Sequence, residues 1–349
     1  MFKKLRTYVY ILAALLIISC ERRALVSPTS ATMIQVQVAI QNISNINCDI
    51  YNSRIPRPNI TTEMMHVVLY DPETERIVTE TYITDTLRDA KGNLVMSGYV
   101  NANPGVYDVL VYNFDTESTI VRNQNSMNTI EAYTNEVQSS IYTRYRSRVG
   151  DDGFEPVVYE PDHLIVSTEK NHVIPFHEDI HVINSRAYSI VETYYLQIKV
   201  DGLQYVSSAQ ALMGGMSSSN LIGSNTPSLD PACVYFEMQK GKDGGREDGD
   251  DVICCLFNTF GKIKDIESKL EVTFDVTTTD GRRVEKTFDI SKVFETEDAI
   301  ERHWLILDEN DYKMVIDPPQ NPSGGKVGGG GGFEPVVEDW EEEHAEISL

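Results

Sequence analysis

The chain has 349 residues and sets 53 Asp and Glu against 30 Lys and Arg, a formal charge of -23. A surface that acidic repels phosphate backbones and anionic lipid headgroups, which excludes nucleic acid as a partner. The apolar fraction is ordinary, at 41 %, and the length is enough for two domains with well-buried cores.

In chain order, Lys3, Lys4 and Arg6 precede an apolar run, Tyr8 to Ile18, that closes as Ile17-Ile18-Ser19-Cys20. The run is about 11 residues long, short of the roughly 20 that a spanning helix needs at 1.5 Å each. A basic start, a short apolar stretch and a small residue at its end are the order of a secretion signal. The ending with Cys20 resembles the lipobox of bacterial lipoproteins, which implies cleavage and acylation at Cys20. Several acyl chains anchor stably where one does not, each buried CH₂ contributing about 0.8 kcal/mol. The competing reading is a plain signal peptide with an incidental Cys20. Residues 1–19 are therefore expected to be a signal peptide and 20–31 a polar tether.

Met33 to Gln41 alternates apolar and polar residues and predicts a half-buried strand. Further strands are predicted at Met65 to Tyr70, Arg76 to Thr84, Leu94 to Val100, Val106 to Tyr112 and His163 to Ser167, with turns at Asp71-Pro72, Lys91-Gly92-Asn93 and Asn103-Pro104-Gly105. Ser126 to Glu136 is read as a candidate helix. The charged, His-bearing stretch 170–186 is expected to be a linker between an N-terminal sandwich at 32–169 and a C-terminal one at 187–317. In the second, strands are predicted at Ser189 to Val200, Leu203 to Leu212, Ala232 to Met238, Asp251 to Phe260, Leu270 to Thr278, Arg283 to Ile290 and His303 to Leu307, with Met213 to Pro231 as a Gly, Ser and Asn-rich loop. Leu270 to Ile290 is the clearest hairpin, turning at Thr279-Asp280-Gly281. The expected fold class is all-β, two tandem antiparallel sandwiches of about seven strands each.

Pro318, Pro319 and Pro322 lead into a Gly-rich linker at 318–332, and the chain ends in an acidic, aromatic arm at 333–349. Phe333, Val336, Val337 and Trp340 mark that arm as a segment that docks on a sheet, in cis or in trans. One repeat stands out: Gly153-Phe154-Glu155-Pro156-Val157-Val158 recurs as Gly332-Phe333-Glu334-Pro335-Val336-Val337. Two readings stay open, a duplicated closing element or two segments that fit one kind of groove. Pro156 and Pro335 lack a backbone donor, which restricts either copy to a sheet edge or an extended arm.

Side chains with chemistry are few. Cys48, Cys233, Cys254 and Cys255 either pack as small hydrophobes or form one disulfide, Cys233 with Cys254 or Cys255. His172, His177 and His181 stand near Glu178 and Asp179 but match no ligand template, and the acidic loop Lys242 to Asp251 lacks the EF-hand spacing. Both are read as solvated segments, so no metal and no cofactor is expected. Ser217, Ser218 and Ser219 lack a nucleophile-elbow framework, and no Gly-rich phosphate loop is present, so the chain is read as no enzyme.

Taken together, the lipobox before Glu21-Arg22-Arg23, the two β-rich halves, Asn103-Pro104-Gly105-Val106-Tyr107-Asp108-Val109-Leu110-Val111-Tyr112-Asn113, Met213-Gly214-Gly215-Met216 and the Gly-rich tail ending near Trp340 resemble the Bacteroidetes fimbrillin-like lipoproteins, including the Mfa-type fimbrial anchor and accessory subunits. That resemblance implies transthyretin-like sandwiches, attachment to the outer membrane at the cell surface through Cys20, and other fimbrial subunits or surface proteins as partners. It also implies assembly by strand addition, in which main-chain hydrogen bonds give affinity and side-chain pockets give specificity. Phe333 to Trp340 would then be the assembly arm. Glu21-Arg22-Arg23 departs from the acidic run that resembles a surface-export signal in this phylum. The alternative function is a lipid-anchored surface module that binds glycans or peptides.

Overall fold

The computed structural model describes residues 32–40, 62–90, 94–137, 155–176, 180–245, 247–263, 270–307 and 310–319. Cys20, Cys48, His177 and the arm residues Phe333, Val336, Val337 and Trp340 lie outside the described residues.

The described chain is almost all strand, arranged in four sheets. The first runs β11 (His181–Arg186), β1 (Thr32–Ile40), β5 (Leu94–Ala102), β4 (Asp85–Arg88). The second runs β12 (Tyr188–Ser189), β10 (Ile165–Ile174), β6 (Gly105–Asn113), β2 (Met65–Tyr70), β3 (Ile77–Ile83). A small third sheet joins β16 (Thr226–Pro227), β15 (Ser219–Leu221), β8 (Glu131–Thr134) and β7 (Thr119–Arg122). The largest runs β20 (Arg283–Asp289), β19 (Glu271–Thr278), β14 (Val206–Ser217), β17 (Pro231–Lys242), β18 (Asp251–Thr259), β13 (Glu192–Asp201), β21 (Trp304–Leu307), with β22 (Met314–Val315) on β13 and β9 (Val157–Tyr159) on β17. Most neighbours are antiparallel, as short turns between successive strands require.

The middle of the second sheet, β6 and β2, is apolar on both faces. Met65, Val67 and Leu69 of β2 and Val109 and Val111 of β6 pack against Val38, Met96 and Val100 of the first sheet. The alternate residues Val68, Tyr70, Leu110, Tyr112 and Val166 face the other way, into a cluster with Met127, Ile130, Ala132, Ile190, Val191, Ile222 and Phe260. Side chains of a strand alternate between faces, so a strand covered on both sides must be a continuous apolar run. His66-Val67-Val68-Leu69-Tyr70 and Val109-Leu110-Val111-Tyr112 are such runs, and all nine residues are buried. The largest sheet instead curls on itself around its own core, with Leu196, Ala211, Phe236, Phe257, Phe274 and Leu305 facing inward. Strand β17 turns the corner: its first part pairs with β14 and β9, and its end, Gln239 to Lys242, pairs with β18.

Three expectations are corrected. The span 170–186 is not a linker, because β10 runs to Ile174 and pairs with β6, and β11 adds to β1 in parallel. Ser126 to Glu136 holds no helix; one turn closes on Ser126 through the N–H groups of Thr129 and Ile130, and β8 follows, pairing with both β7 and β15. Met213 to Pro231 is not all loop either, since β14 extends to Ser217 through a bulge at Gly214-Gly215. A short helix, α1 (Glu297–Arg302), is capped by Thr296, whose hydroxyl accepts from the Ala299 N–H.

The cluster around Phe260 draws residues from both sequence halves, so the halves should unfold together. Phe260→Ala should lower stability by about 3–5 kcal/mol while urea unfolding, followed by tryptophan fluorescence and by far-UV circular dichroism, stays one coincident transition. Two separated transitions would show that the halves are independent.

Candidate functional site

The first copy of the repeated hexapeptide lies in the seam between the two sequence halves. Its described part, Glu155 onward, enters β9, which is held on two sides. On one side it adds in parallel to β17, Val157 opposite Cys233, Val158 opposite Val234 and Tyr159 opposite Tyr235. On the other it meets residues 135–137: the Val137 N–H donates to the Val157 carbonyl at 2.8 Å and the Tyr159 N–H to the Asn135 carbonyl at 3.2 Å. The Pro156 carbonyl accepts from the Cys233 N–H at 2.9 Å, and the Thr134 hydroxyl donates to the Tyr159 carbonyl at 2.7 Å. The proline needs no partner for a donor it does not have, which is why Pro is tolerated in a strand seated this way.

Side chains make the seat selective. Val157 is fully buried among Val137, Leu212 and Cys233. Val158, on the opposite face, enters the core of the large sheet. The Glu155 carboxylate reaches the bulge of β14, where the Gly215 N–H donates to it at 3.0 Å and the Cys233 thiol at 3.4 Å. Gly215 has φ +74°, a conformation that favours glycine. A Cβ on Gly214 would lie only 3.3 Å from that carboxylate. Met213-Gly214-Gly215-Met216 is therefore the receiver for Glu155, a role the sequence alone left unassigned.

Glu160 closes the seat. Its carboxylate accepts from the Asn258 N–H at 3.0 Å. Burial, with the charges of Asp162 and Glu237 adding to it, pushes this carboxyl up to about 7. Beside β9 opens a cleft of about 710 Å³, lined by Arg122, Tyr133, Asn135, Glu136 and Tyr159. In it the Arg122 guanidinium lies 4.5 Å from the Tyr133 ring centre and pairs with Glu131 at 2.8 Å.

Of the other sequence candidates only Cys233 belongs to this seat. Cys233, Cys254 and Cys255 are buried and not bridged to one another. The last two face opposite sides of β18, and burial pushes both thiols up. The rings of His172 and His181 meet, Nε2 to Nε2, at 3.1 Å, and Glu169 holds the other nitrogen of His172 at 2.7 Å. In the acidic loop, Asp250 and Asp251 pair with Lys199 and Lys242, and Asp243 accepts from Gln197. Among the described residues no three His, Cys, Asp or Glu side chains gather as a metal site requires. Ser217 and Ser219 are buried in hydrogen bonds to the backbone and to Glu131.

The class that the fold defines is an all-β protein in which a short strand of the first sequence half is inserted beside the large sheet of the second. A family model described as "Domain of unknown function (DUF5119)" matches residues 19–237, and the chain belongs to that family. It is 26 % identical over 270 residues to a Bacteroides ovatus protein named "Putative fimbrium anchoring subunit Fim4B", covering 70 % of this chain and 75 % of that one. A solved structure described as "a putative adhesin from Bacteroides ovatus ATCC 8483" has the same fold, at TM-score 0.55 and 22 % identity, over 87 % of this chain and 98 % of that one. The fimbrial anchor protein Mfa2 of Porphyromonas gingivalis aligns at TM-score 0.44 and 12 % identity, over 78 % of this chain and 87 % of that one. The family match, the Bacteroides ovatus relative and the structure at TM-score 0.55 bear out the resemblance to the fimbrillin-like proteins and the all-β class.

Glu160 gives this seam a pH signature. Its folded pKa of about 7 lies above the ordinary carboxylate value, so the folded state holds the proton longer than the unfolded chain does. Its contribution is therefore intact at pH 4 and is lost as pH rises through 7, by up to about 3 kcal/mol. Glu160→Gln should remove that loss, giving a variant more stable than the parent at pH 8 and no more stable at pH 4. Equal urea midpoints at pH 8 would refute this assignment.

Proposed function

We propose that this chain is a lipid-anchored subunit that anchors, or serves as an accessory to, surface fimbriae. The observation that carries the reading is the likeness to the fimbrium anchoring subunit, which spans 70 % of this chain and 75 % of that one. The leader supports it. The family match begins at Ser19, one residue before Cys20, as it would if the mature chain starts at the lipobox. Acyl chains on Cys20 hold the protein in the outer membrane at the cell surface, and its partners are other fimbrial subunits. The arm bearing Phe333, Val336, Val337 and Trp340 serves assembly, by strand addition. The chain does this work without catalysis.

The cleft favours a second reading, a module that binds glycans or peptides. Tyr133 and Tyr159 offer ring faces and Arg122, Asn135 and Glu136 offer polar groups, the mixture that carbohydrate and peptide sites use.

Two variants expressed in cells test the first reading. Cys20→Ser should leave the membrane fraction, and deletion of 324–349 should remove the protein from high-molecular-weight, heat-labile surface polymers. A Cys20→Ser chain retained in the membrane would sink the lipid anchor, and undiminished polymer entry without the tail would sink the arm. Glycan-array binding by the soluble form, lost in Tyr133→Ala, would favour the second reading instead.

A further inference from the structure

The seat of β9 recognises a sequence that the chain carries twice. Glu155 meets the bulge N–H of Gly215, Pro156 gives only its carbonyl, and Val157 and Val158 fill pockets on opposite faces. The second copy offers Glu334, Pro335, Val336 and Val337 at the same positions. Beyond the hexapeptide the fit continues for two residues. Glu338 would stand for Tyr159, which is 42 % exposed and tolerates a polar side chain. Asp339 would stand for Glu160, keeping a carboxylate near the Asn258 N–H. At the next position Trp340 would replace the buried Pro161, and the match ends.

We propose that the slot between residues 135–137 and β17 is a receptor for two segments of this chain, and that Gly332 to Asp339 exchanges with the first copy in it.

Reach permits the exchange. The tail leaves beside the β19–β20 turn, where Arg282 donates to the carbonyls of Asp317 and Pro318. From Val206, opposite the turn end of β19, to Met213, opposite Val234, is seven residues along β14. With three strand spacings across the sheet, at about 3.3 Å per residue and 4.8 Å per strand, the slot lies roughly 27 Å from the tail's exit. The stretch that follows Pro319, as far as Gly332, extends to about 45 Å at most and is rich in Gly. The second copy therefore reaches the slot of its own chain as well as that of a second copy. The exchange is nearly balanced in the slot's own terms, since the same four residue types fill it before and after. The inference deepens the assembly reading, resting on it only for the consequence that the arm has a defined receptor on this fold.

A disulfide trap tests it. In the slot Val336 would take the place of Val157, which is the register partner of Cys233. Cα atoms on adjacent strands lie about 4.8 Å apart, inside the 4.4–6.8 Å span of disulfides. In the soluble Glu21–Leu349 form, Val336→Cys should place a thiol that bonds to Cys233 on mild oxidation, the link being mapped by mass spectrometry of peptides. A monomeric product assigns the tail to its own slot and a covalent dimer to a neighbour's; either supports the receptor. Glu155→Ala, which weakens the first copy, should raise the yield several-fold. Val157→Cys reports that the slot geometry permits a link, and Ile347→Cys, outside the match, sets the background. A labelled peptide of residues 330–342 should also bind the Glu155→Ala chain saturably, and a scrambled peptide should not. Linking at background in the Glu155→Ala chain, together with no peptide binding, overturns the receptor. That failure with tail-dependent polymers intact would leave the fimbrial reading standing, and a clear cross-link with tail-independent polymers would remove only the assembly role.

Discussion

The structure depends on two adjacent strands, β6 and β2, that are covered on both faces. Sheet β12-β10-β6-β2-β3 carries the first sheet on one side and, on the other, a layer that mixes Met127, Ile130 and Ala132 with Ile222 and Phe260 from far along the chain. Each large apolar side chain moved from such a site to water loses about 1.5–3 kcal/mol. A handful of them matches the whole net stability of about 5–15 kcal/mol typical of a folded protein. One apolar layer thus joins the two sequence halves over the described residues. Polar groups trapped in this sheet are satisfied internally: the buried His66 ring meets the Tyr112 hydroxyl at 2.7 Å and Glu80 at 3.1 Å, and the Tyr70 hydroxyl donates to the Gln124 carbonyl.

The same constraint explains the seam. Bringing the halves together leaves β17 with an unpaired edge over Cys233 to Tyr235, because β18 joins it only from Gln239 onward. An edge of bare N–H and carbonyl groups inside a protein is costly. Three residues of β9 cover it, and their far side is covered in turn by residues 135–137. The cover is short and held by one buried valine on each face. It also depends on the Glu155 carboxylate at a glycine bulge. A segment held by so few contacts is replaceable by another that makes the same ones.

Local patterning made most strands legible. The alternation of Val272, Phe274 and Val276 against Val284 and Phe288 became β19 and β20, paired as the hairpin turn required. The continuous runs of β2 and β6 also read as strands, yet the sequence could not say what covered their second face. The failures lie where distant pairing overrides local preference. Ala132 to Thr134 looked helical beside its neighbours but is extended because β7 and β15 hold it from both sides. The charged 170–186 stretch looked like a linker because β10 and β11 carry exposed residues on their outer faces while Ile174 and Ile183 point into the core. At the candidate site the repeat was visible in the sequence, but its receiver was not. Gly215 and Cys233 lie 60 and 78 residues from Glu155, and no local rule connects them.

Placement of β1 bears on how the proposed anchor would carry load. Eleven residues, 21–31, lie between Cys20 and Thr32 in the sequence, a reach of roughly 40 Å at full extension. Strand β1 is an interior strand of its sheet, paired over nine positions with β5 and six with β11. Tension applied along the axis of β1 would shear the ladder bonds on both sides together and would not peel them one at a time from an edge. Thr32, the first described residue, already has a partner in Ala102. That sheet is packed against the one that holds β2 and β6, and that one against the layer around Phe260. A pull transmitted along β1 would thereby be met by both sheets and by the apolar layer behind them.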